Sequence, residues 1–147
     1  MFRSLVCLLA FMPVMSCAQN YPCARVGASM ESALFDAIGK DLGINTATIV
    51  KNKTKVEVLD VTPVSKVFAG SLAKEDYEKD RDSNGVALLD EQAYFESYVE
   101  NKATSIVVKY TYVNDKGEKD VFIASSIMNN DECSVRFNGY MSVARAF

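Results

Sequence analysis

The last third of the chain, residues 103–147, alternates apolar and polar side chains with a period of two, and this pattern restricts the fold more than any other. Such alternation predicts β-strands. Polar stretches at 114–117 and 129–131 interrupt it and predict turns, the first with Gly117 where a positive φ is needed. Gly139 is expected to bend or bulge the last strand. The sequence therefore predicts an antiparallel meander of three strands. The alternating residues are Ile106, Val108, Tyr110, Tyr112, Val121, Ile123, Cys133, Val135 and Phe137.

A helix is predicted over residues 29–42, where apolar side chains recur at spacings of three and four. Ser29 is the expected cap, and Gly43 is the expected stop. Glu31 falls among the positions assigned to the wetter side of this helix. The apolar positions are Met30, Leu34, Ala37, Ile38 and Leu42.

A second helical region is predicted in two pieces. A short, highly charged helix is expected from Ser71 to about Lys79, followed by a loop at 80–85. The second piece, 88–99, has amphipathic spacing that counts Leu88 and Leu89 among its apolar residues.

Residues 46–69 are rich in β-branched side chains and predict two or three short strands, with a bend or edge at Pro63. With the helices and the meander, this indicates an α+β fold. We expect an antiparallel sheet with a C-terminal three-strand meander and helices packed on one face. No linker divides the chain, so residues 18–147 are expected to form a single domain.

The chain contains no histidine, and this excludes several kinds of catalytic site. Ser-His-Asp and Cys-His pairs, zinc sites with histidine ligands and histidine acid-base chemistry all require it. The 16 Lys and Arg against 19 Asp and Glu give a net charge of −3 without a basic run. Because phosphate contacts need clustered cations, we expect no nucleic-acid partner.

The N-terminus has the features of an export signal, predicted over residues 1–17. Arg3 precedes an apolar run of 11 residues, which is too short to span a bilayer as a helix. The sequence is compatible with cleavage at either of two positions. Cleavage before Cys17 would leave a lipidated cysteine, whereas cleavage after Ala18 would release a soluble periplasmic or secreted protein. The first alternative is favoured, and it places the protein in the periplasm, anchored to the outer membrane by lipid.

Either cleavage leaves Cys23 and Cys133 as a pair of cysteines in the exported domain. Exported domains commonly carry disulfides, so we predict that the two are bonded. The bond would close a loop of about 110 residues and stabilise the fold by roughly 4–5 kcal/mol in the chain-entropy model.

Residues 80–91 match the spacing of an EF-hand calcium loop, and calcium is therefore a possible ligand. Such a loop supplies hard oxygen ligands from fixed positions, and Gly85 would make its sharp turn. Leu88 lacks a side-chain oxygen at the ninth position, and the sequence has no second copy of the loop. The candidate ligands are Asp80, Asp82, Asn84, the Val86 carbonyl and Glu91.

These observations favour a small exported protein that binds another protein and is not an enzyme. The favoured role is a periplasmic inhibitor or immunity protein whose partner is a toxin or a hydrolase. A pilotin-like lipoprotein that assembles secretion or pilus machinery of the envelope is one alternative. A calcium-dependent enzyme that uses carboxylates is another. Contact with a membrane is expected only through the lipid anchor.

Overall fold

The computed structural model describes residues 21–147, and over this range the chain forms three helices and a four-stranded antiparallel sheet. The strands lie side by side in chain order, which confirms the α+β class and the C-terminal meander. The helices are α1 (Ser29–Leu42), α2 (Lys66–Asn84) and α3 (Glu91–Val99), and the strands are β1 (Lys55–Pro63), β2 (Thr104–Val113), β3 (Lys119–Met128) and β4 (Arg136–Ala144).

The turns of the meander form where the sequence predicts them. Between β2 and β3, the Asn114 side chain accepts hydrogen bonds from the backbone N–H groups of Lys116 and Glu118. Gly117 has a φ of 84°, which a residue with a Cβ rarely adopts. In β4, Gly139 has a φ of 113° and lies where the β3–β4 register shifts, so the predicted bulge is confirmed.

Helix α1 has the predicted boundaries and ends at Gly43, whose φ is 68°. Two details differ from the prediction. The N-cap residue is Ala28, and Ser29 is the first helical residue. Glu31 is 2% exposed, because its carboxylate turns back to accept a hydrogen bond of 2.6 Å from the Gly27 backbone N–H. A carboxylate in the first turn also interacts favourably with the positive end of the helix dipole.

The main core lies between α1 and one face of the sheet. Met30, Leu34 and Ile38 are fully buried, as their spacing predicts. Alternate residues of β2 and β3 pack against them. The buried face of the helix and the buried face of the strands therefore form one apolar layer. The strand residues in this cluster are Ile106, Val108, Tyr110, Tyr112, Phe122 and Ala124.

The region after β1 departs from the sequence prediction. Strand β1 ends at Pro63, as expected, but the strand predicted to resume beyond it is absent, and α2 begins at Lys66. Ser65 caps this helix, since its hydroxyl accepts a hydrogen bond from the Phe68 N–H. The β-branched residues in this stretch favoured a strand, yet packing against α3 outweighs that weak local preference.

Helices α2 and α3 pack against each other and form a second, smaller core. The pair contacts the sheet around Ile127 of β3, which is fully buried. Asp90 caps α3 by accepting a hydrogen bond from the Ala93 N–H, so this helix begins three residues later than expected. Within residues 21–147, no helix combines the length and apolarity needed to cross a membrane.

Cys23 and Cys133 are joined by a disulfide, which confirms the predicted pair. Their Cα atoms lie 4.9 Å apart although 110 positions separate them in sequence. The bond ties the segment before α1 to the segment before β4. The predicted signal, Cys17 and Ala18 lie outside the described residues.

A buried carboxylate holds the last three residues against the sheet. Asp120 of β3 has no exposed surface, and its Oδ1 accepts hydrogen bonds from the backbone N–H groups of Ala146 and Phe147. The Arg145 guanidinium lies 3.2 Å from Oδ2 of the same carboxylate. The Asp120 charge is therefore compensated by the chain segment that follows β4.

Candidate functional site

The residues of the expected calcium loop do not form one continuous loop, since only Gly85 to Asp90, including Val86, lie outside the helices. Asp80, Asp82 and Asn84 belong to the last turns of α2, and Glu91 is the first residue of α3. Side chains two positions apart in a helix point about 160° away from each other around the axis, so Asp80 and Asp82 diverge. Asp82 instead pairs with Arg81 on the surface. In the described part of the chain, no three carboxylates, cysteines or histidines cluster closely enough to hold a metal ion.

Asp80 has a different role, because it organises the connection between α2 and α3. One carboxylate oxygen accepts hydrogen bonds from the Leu88 backbone N–H at 2.6 Å and from the Tyr94 hydroxyl at 3.0 Å. The other accepts a hydrogen bond from the Asn84 side chain. The bond from Leu88 is the main reason that the pKa of Asp80 lies below its ordinary value. Gly85 ends α2 in the left-handed conformation with a φ of 76°.

This connection exposes three large apolar side chains in four residues. Val86, Leu88 and Leu89 are 67%, 79% and 53% exposed, while Ala87 between them is half-buried. We call residues 86–89 the apolar loop. Leu88 and Leu89 were expected on the buried face of a helix, but the Asp90 cap starts α3 after them. They are therefore free to face solvent.

A groove of about 680 Å³ adjoins the apolar loop, between α2, α3 and the beginning of β4. Leu89 belongs to both the loop and the groove, and Tyr94 on the groove wall also bonds to Asp80. The groove thus extends the exposed apolar surface into a polar cleft. Its lining residues are Glu75, Asp76, Lys79, Leu89, Tyr94, Ser97, Tyr98, Val135, Arg136 and Phe137.

Charges inside the groove compensate one another. The Arg136 guanidinium pairs with Glu75 and, at 2.8 Å, with Asp76, both on α2. Tyr98 of α3 donates a hydrogen bond to the second oxygen of Asp76. Burial and this neighbouring carboxylate raise the pKa of the Tyr98 hydroxyl well above its usual range. The network joins α2, α3 and β4, and each of its charged groups faces a group of opposite charge.

Sequence reasoning missed this network. Sixty residues separate Arg136 from Asp76, so no local spacing relates them. The available signal was a lone arginine at the start of an otherwise uncharged strand, which indicates a cation with a distant acidic partner.

Comparison with protein-family models, with curated proteins and with solved structures gave no match.

Proposed function

We propose that the protein is a non-catalytic binding protein of the periplasm, an inhibitor or immunity protein that blocks a toxin or a hydrolase. The observation that carries the proposal is the apolar loop, in which Val86, Leu88 and Leu89 are each more than half exposed. Contiguous exposed apolar side chains on a small domain are typical of contact sites for other proteins.

The loop is suited to binding because it is already ordered. Association costs free energy when flexible side chains and loops must be fixed, and preorganisation reduces that cost. The Asp80 carboxylate fixes the Leu88 backbone, and Gly85 and Asp90 fix the ends of the two helices. The exposed side chains of Val86 and Leu88 are available for insertion into the concave site of a toxin or a hydrolase.

The groove supports the same proposal. Its charged walls are already paired, so a partner that covers Arg136 and Asp76 does not have to leave either ion without a counterion. The half-buried Tyr94 adds aromatic surface next to Leu89, and aromatic residues are common at the centre of protein interfaces. The disulfide between Cys23 and Cys133 is consistent with an exported protein.

Capture from periplasmic extract tests the proposal. The wild-type chain is compared with Leu88→Asp, which places a charge in the middle of the apolar loop. Val67→Asp is the matched control, because Val67 is 84% exposed but lies near the start of α2, about 20 Å along the helix from Asp80, the residue that contacts Leu88. We expect wild type and Val67→Asp to retain a toxin or hydrolase and to inhibit it, and Leu88→Asp to lose both properties.

Two results would contradict the proposal. Equal retention of the partner by Leu88→Asp and wild type would show that the apolar loop is not the contact surface. Retention of a secretin or a pilus component, without inhibition of any toxin or hydrolase, would instead support the assembly role.

A further inference from the structure

The sheet face opposite α1 is covered by helices along only part of its length. At one end of this face, Ile127 of β3 packs against the α2–α3 pair. Ile123 lies farther along β3 on the same face, since side chains alternate along a strand, and it pairs with Met141 of β4. Met141 is 64% exposed, so the sheet at this end faces solvent on the side away from α1.

The strand registers place two rows of side chains across this uncovered region, which we call the open face. From β1 to β4, the first row is Glu57, Lys109, Ile123 and Met141, and the second row is Lys55, Thr111, Val121 and Ala144. Charged side chains therefore lie on the β1 side, and apolar side chains lie on the β4 side. The solvent face of an antiparallel sheet is usually polar, so the apolar half is the unusual feature.

Lysines without an ion pair surround the charged half of the open face. Lys109 pairs with Glu57 at 3.2 Å, whereas Lys55 in the next row forms no ion pair within residues 21–147. The Val50 backbone N–H donates a hydrogen bond of 2.8 Å to the Val113 carbonyl, which brings the turn of residues 51–53 to the same end of the sheet. The exposed lysines at this end that have no ion pair in the described range are Lys51, Lys53, Lys55, Lys116 and Lys119.

Positive charge is in excess at this end of the sheet, although the chain as a whole has a net charge of −3. The adjoining β2–β3 turn contributes Asp115 and Glu118, fewer carboxylates than there are unpaired lysines. A partner that brings carboxylates to these lysines would therefore be attracted to the open face, and apolar side chains of the same partner would cover Ile123 and Met141.

The surroundings of the open face favour a polypeptide segment over a membrane or a nucleic acid. Helix α2 packs on the same side of the sheet, and a helix is about 10–12 Å thick with its side chains. A flat bilayer would meet α2 before it reached Ile123. A nucleic acid needs cations along its whole contact, and the β4 half of the open face has none.

We propose that the open face binds an extended acidic segment of another protein, whose carboxylates contact the lysines and whose apolar side chains cover Ile123 and Met141. Strands lie about 4.8 Å apart, so roughly 14 Å separate β1 from β4. An extended chain crosses that distance in about four to five residues. The segment should therefore have acidic and apolar halves separated by about this length.

This surface is distinct from the apolar loop on which the proposed inhibitory function rests. Leu88→Asp should bind such a segment as wild type does, so the failure of one proposal does not decide the other. Because the lysines are exposed, binding should weaken as the salt concentration rises.

NMR titration of the purified chain with a short synthetic peptide, glutamates in one half and valines in the other, tests the inference. We expect shifts of the Ile123 and Met141 methyl resonances and of the Lys55 and Lys119 amides. Reversal of two exposed charges in the variant Lys55→Glu, Lys119→Glu should weaken binding about tenfold. The matched control is Lys40→Glu, Lys66→Glu, which changes the net charge equally at exposed lysines of α1 and α2 and should bind as wild type does.

A second comparison tests the apolar half of the open face. Met141→Ser should weaken binding of the peptide, whereas Val67→Ser, at an exposed position of α2, should not. Absence of binding at millimolar peptide would overturn the proposal. Equal binding of an all-glutamate peptide, or equal weakening by the two pairs of lysine substitutions, would also overturn it. Binding to phosphatidylglycerol vesicles that Lys55→Glu, Lys119→Glu abolishes, without binding of the peptide, would instead show that the ligand is a membrane.

Discussion

The Asp80 carboxylate accepts a hydrogen bond from the Leu88 backbone N–H at 2.6 Å, and this bond joins the last turn of α2 to the loop before α3. The same oxygen accepts the Tyr94 hydroxyl. A residue that suggested a calcium ligand thus fixes a backbone segment whose side chains remain exposed.

Asp80→Ala is expected to loosen the apolar loop without unfolding the domain. The Leu88 amide should exchange with solvent faster than in wild type, because its acceptor is removed, while amides of β2 and β3 should keep their protection. Hydrogen exchange followed by NMR measures both. Asp82→Ala is the control, since that carboxylate contacts only the neighbouring Arg81 side chain among the described residues. Equal exchange of Leu88 in the two variants would contradict the prediction.

The Asp80 contact should also depend on pH in a defined direction. Because the Leu88 bond lowers the pKa of Asp80 in the folded state, its contribution is fully present above the ordinary value of 3.8. It is lost as the pH falls through the lower folded pKa. We expect the Leu88 amide resonance to titrate with a midpoint below 3.8, and Asp80→Asn to remove that titration. A midpoint at or above 3.8 in wild type would argue against the bond.

Calcium is expected to leave the thermal stability unchanged. A ligand that binds only the folded state raises the melting temperature by mass action, but here Asp80 and Asp82 diverge on α2. Melting curves in millimolar calcium and in chelator should coincide. A calcium-dependent rise that Glu91→Gln abolishes would restore the loop interpretation.

Loss of the disulfide should destabilise the domain by about 2–5 kcal/mol, as is usual for a native bond in a small exported domain. The double variant Cys23→Ser, Cys133→Ser removes the bond without leaving a free thiol at either position. Denaturant unfolding of this variant and of chemically reduced wild type should give the same lowered midpoint. An unchanged midpoint in either sample would count against a stabilising bond.

Arg136→Met should destabilise the contact between β4 and the α2–α3 pair by about 1–2 kcal/mol, because it leaves Asp76 without its counterion. Both side chains are 25% exposed, which limits the effect of solvent screening. A double-mutant cycle with Asp76→Asn isolates the coupling between them. The control, Arg81→Met, removes an exposed ion pair and should cost less than about 0.5 kcal/mol. A coupling free energy near zero would show that the pair does not stabilise the contact between β4 and α2.

Helix α1 and the meander could be predicted because one-dimensional periodicity determines them. Met30, Leu34 and Ile38 lie on one helical face, and each turn of the meander has its own glycine or asparagine signal. The Cys23–Cys133 pair followed from elimination of the other cysteines. The start of α2 could not be predicted, since the choice between strand and helix beyond Pro63 depends on contacts with α3.

The candidate site was harder to predict for the same reason. Leu88 and Leu89 have the spacing of a buried helical face, but Asp80 accepts a hydrogen bond from the Leu88 N–H and Asp90 caps α3 after them, so they lie in a loop. The pairing of Arg136 with Asp76 requires the three-dimensional fold. Sequence reasoning thus identified the segment that contains Asp80, but the hydrogen bonds of Asp80 with Leu88 and Tyr94 depend on the three-dimensional fold.

The disulfide also determines how the domain would carry a mechanical load. Tension applied between residue 21 and residue 147 passes from Cys23 across the sulfur atoms to Cys133, and then along β4 to the tail. Residues 24–132 lie outside this covalent path, so a pull on the two ends does not stretch α1, the α2–α3 pair or the first three strands directly. The first element under tension is β4, whose detachment would be resisted by its hydrogen bonds to β3 and by the Asp120 contacts with the tail.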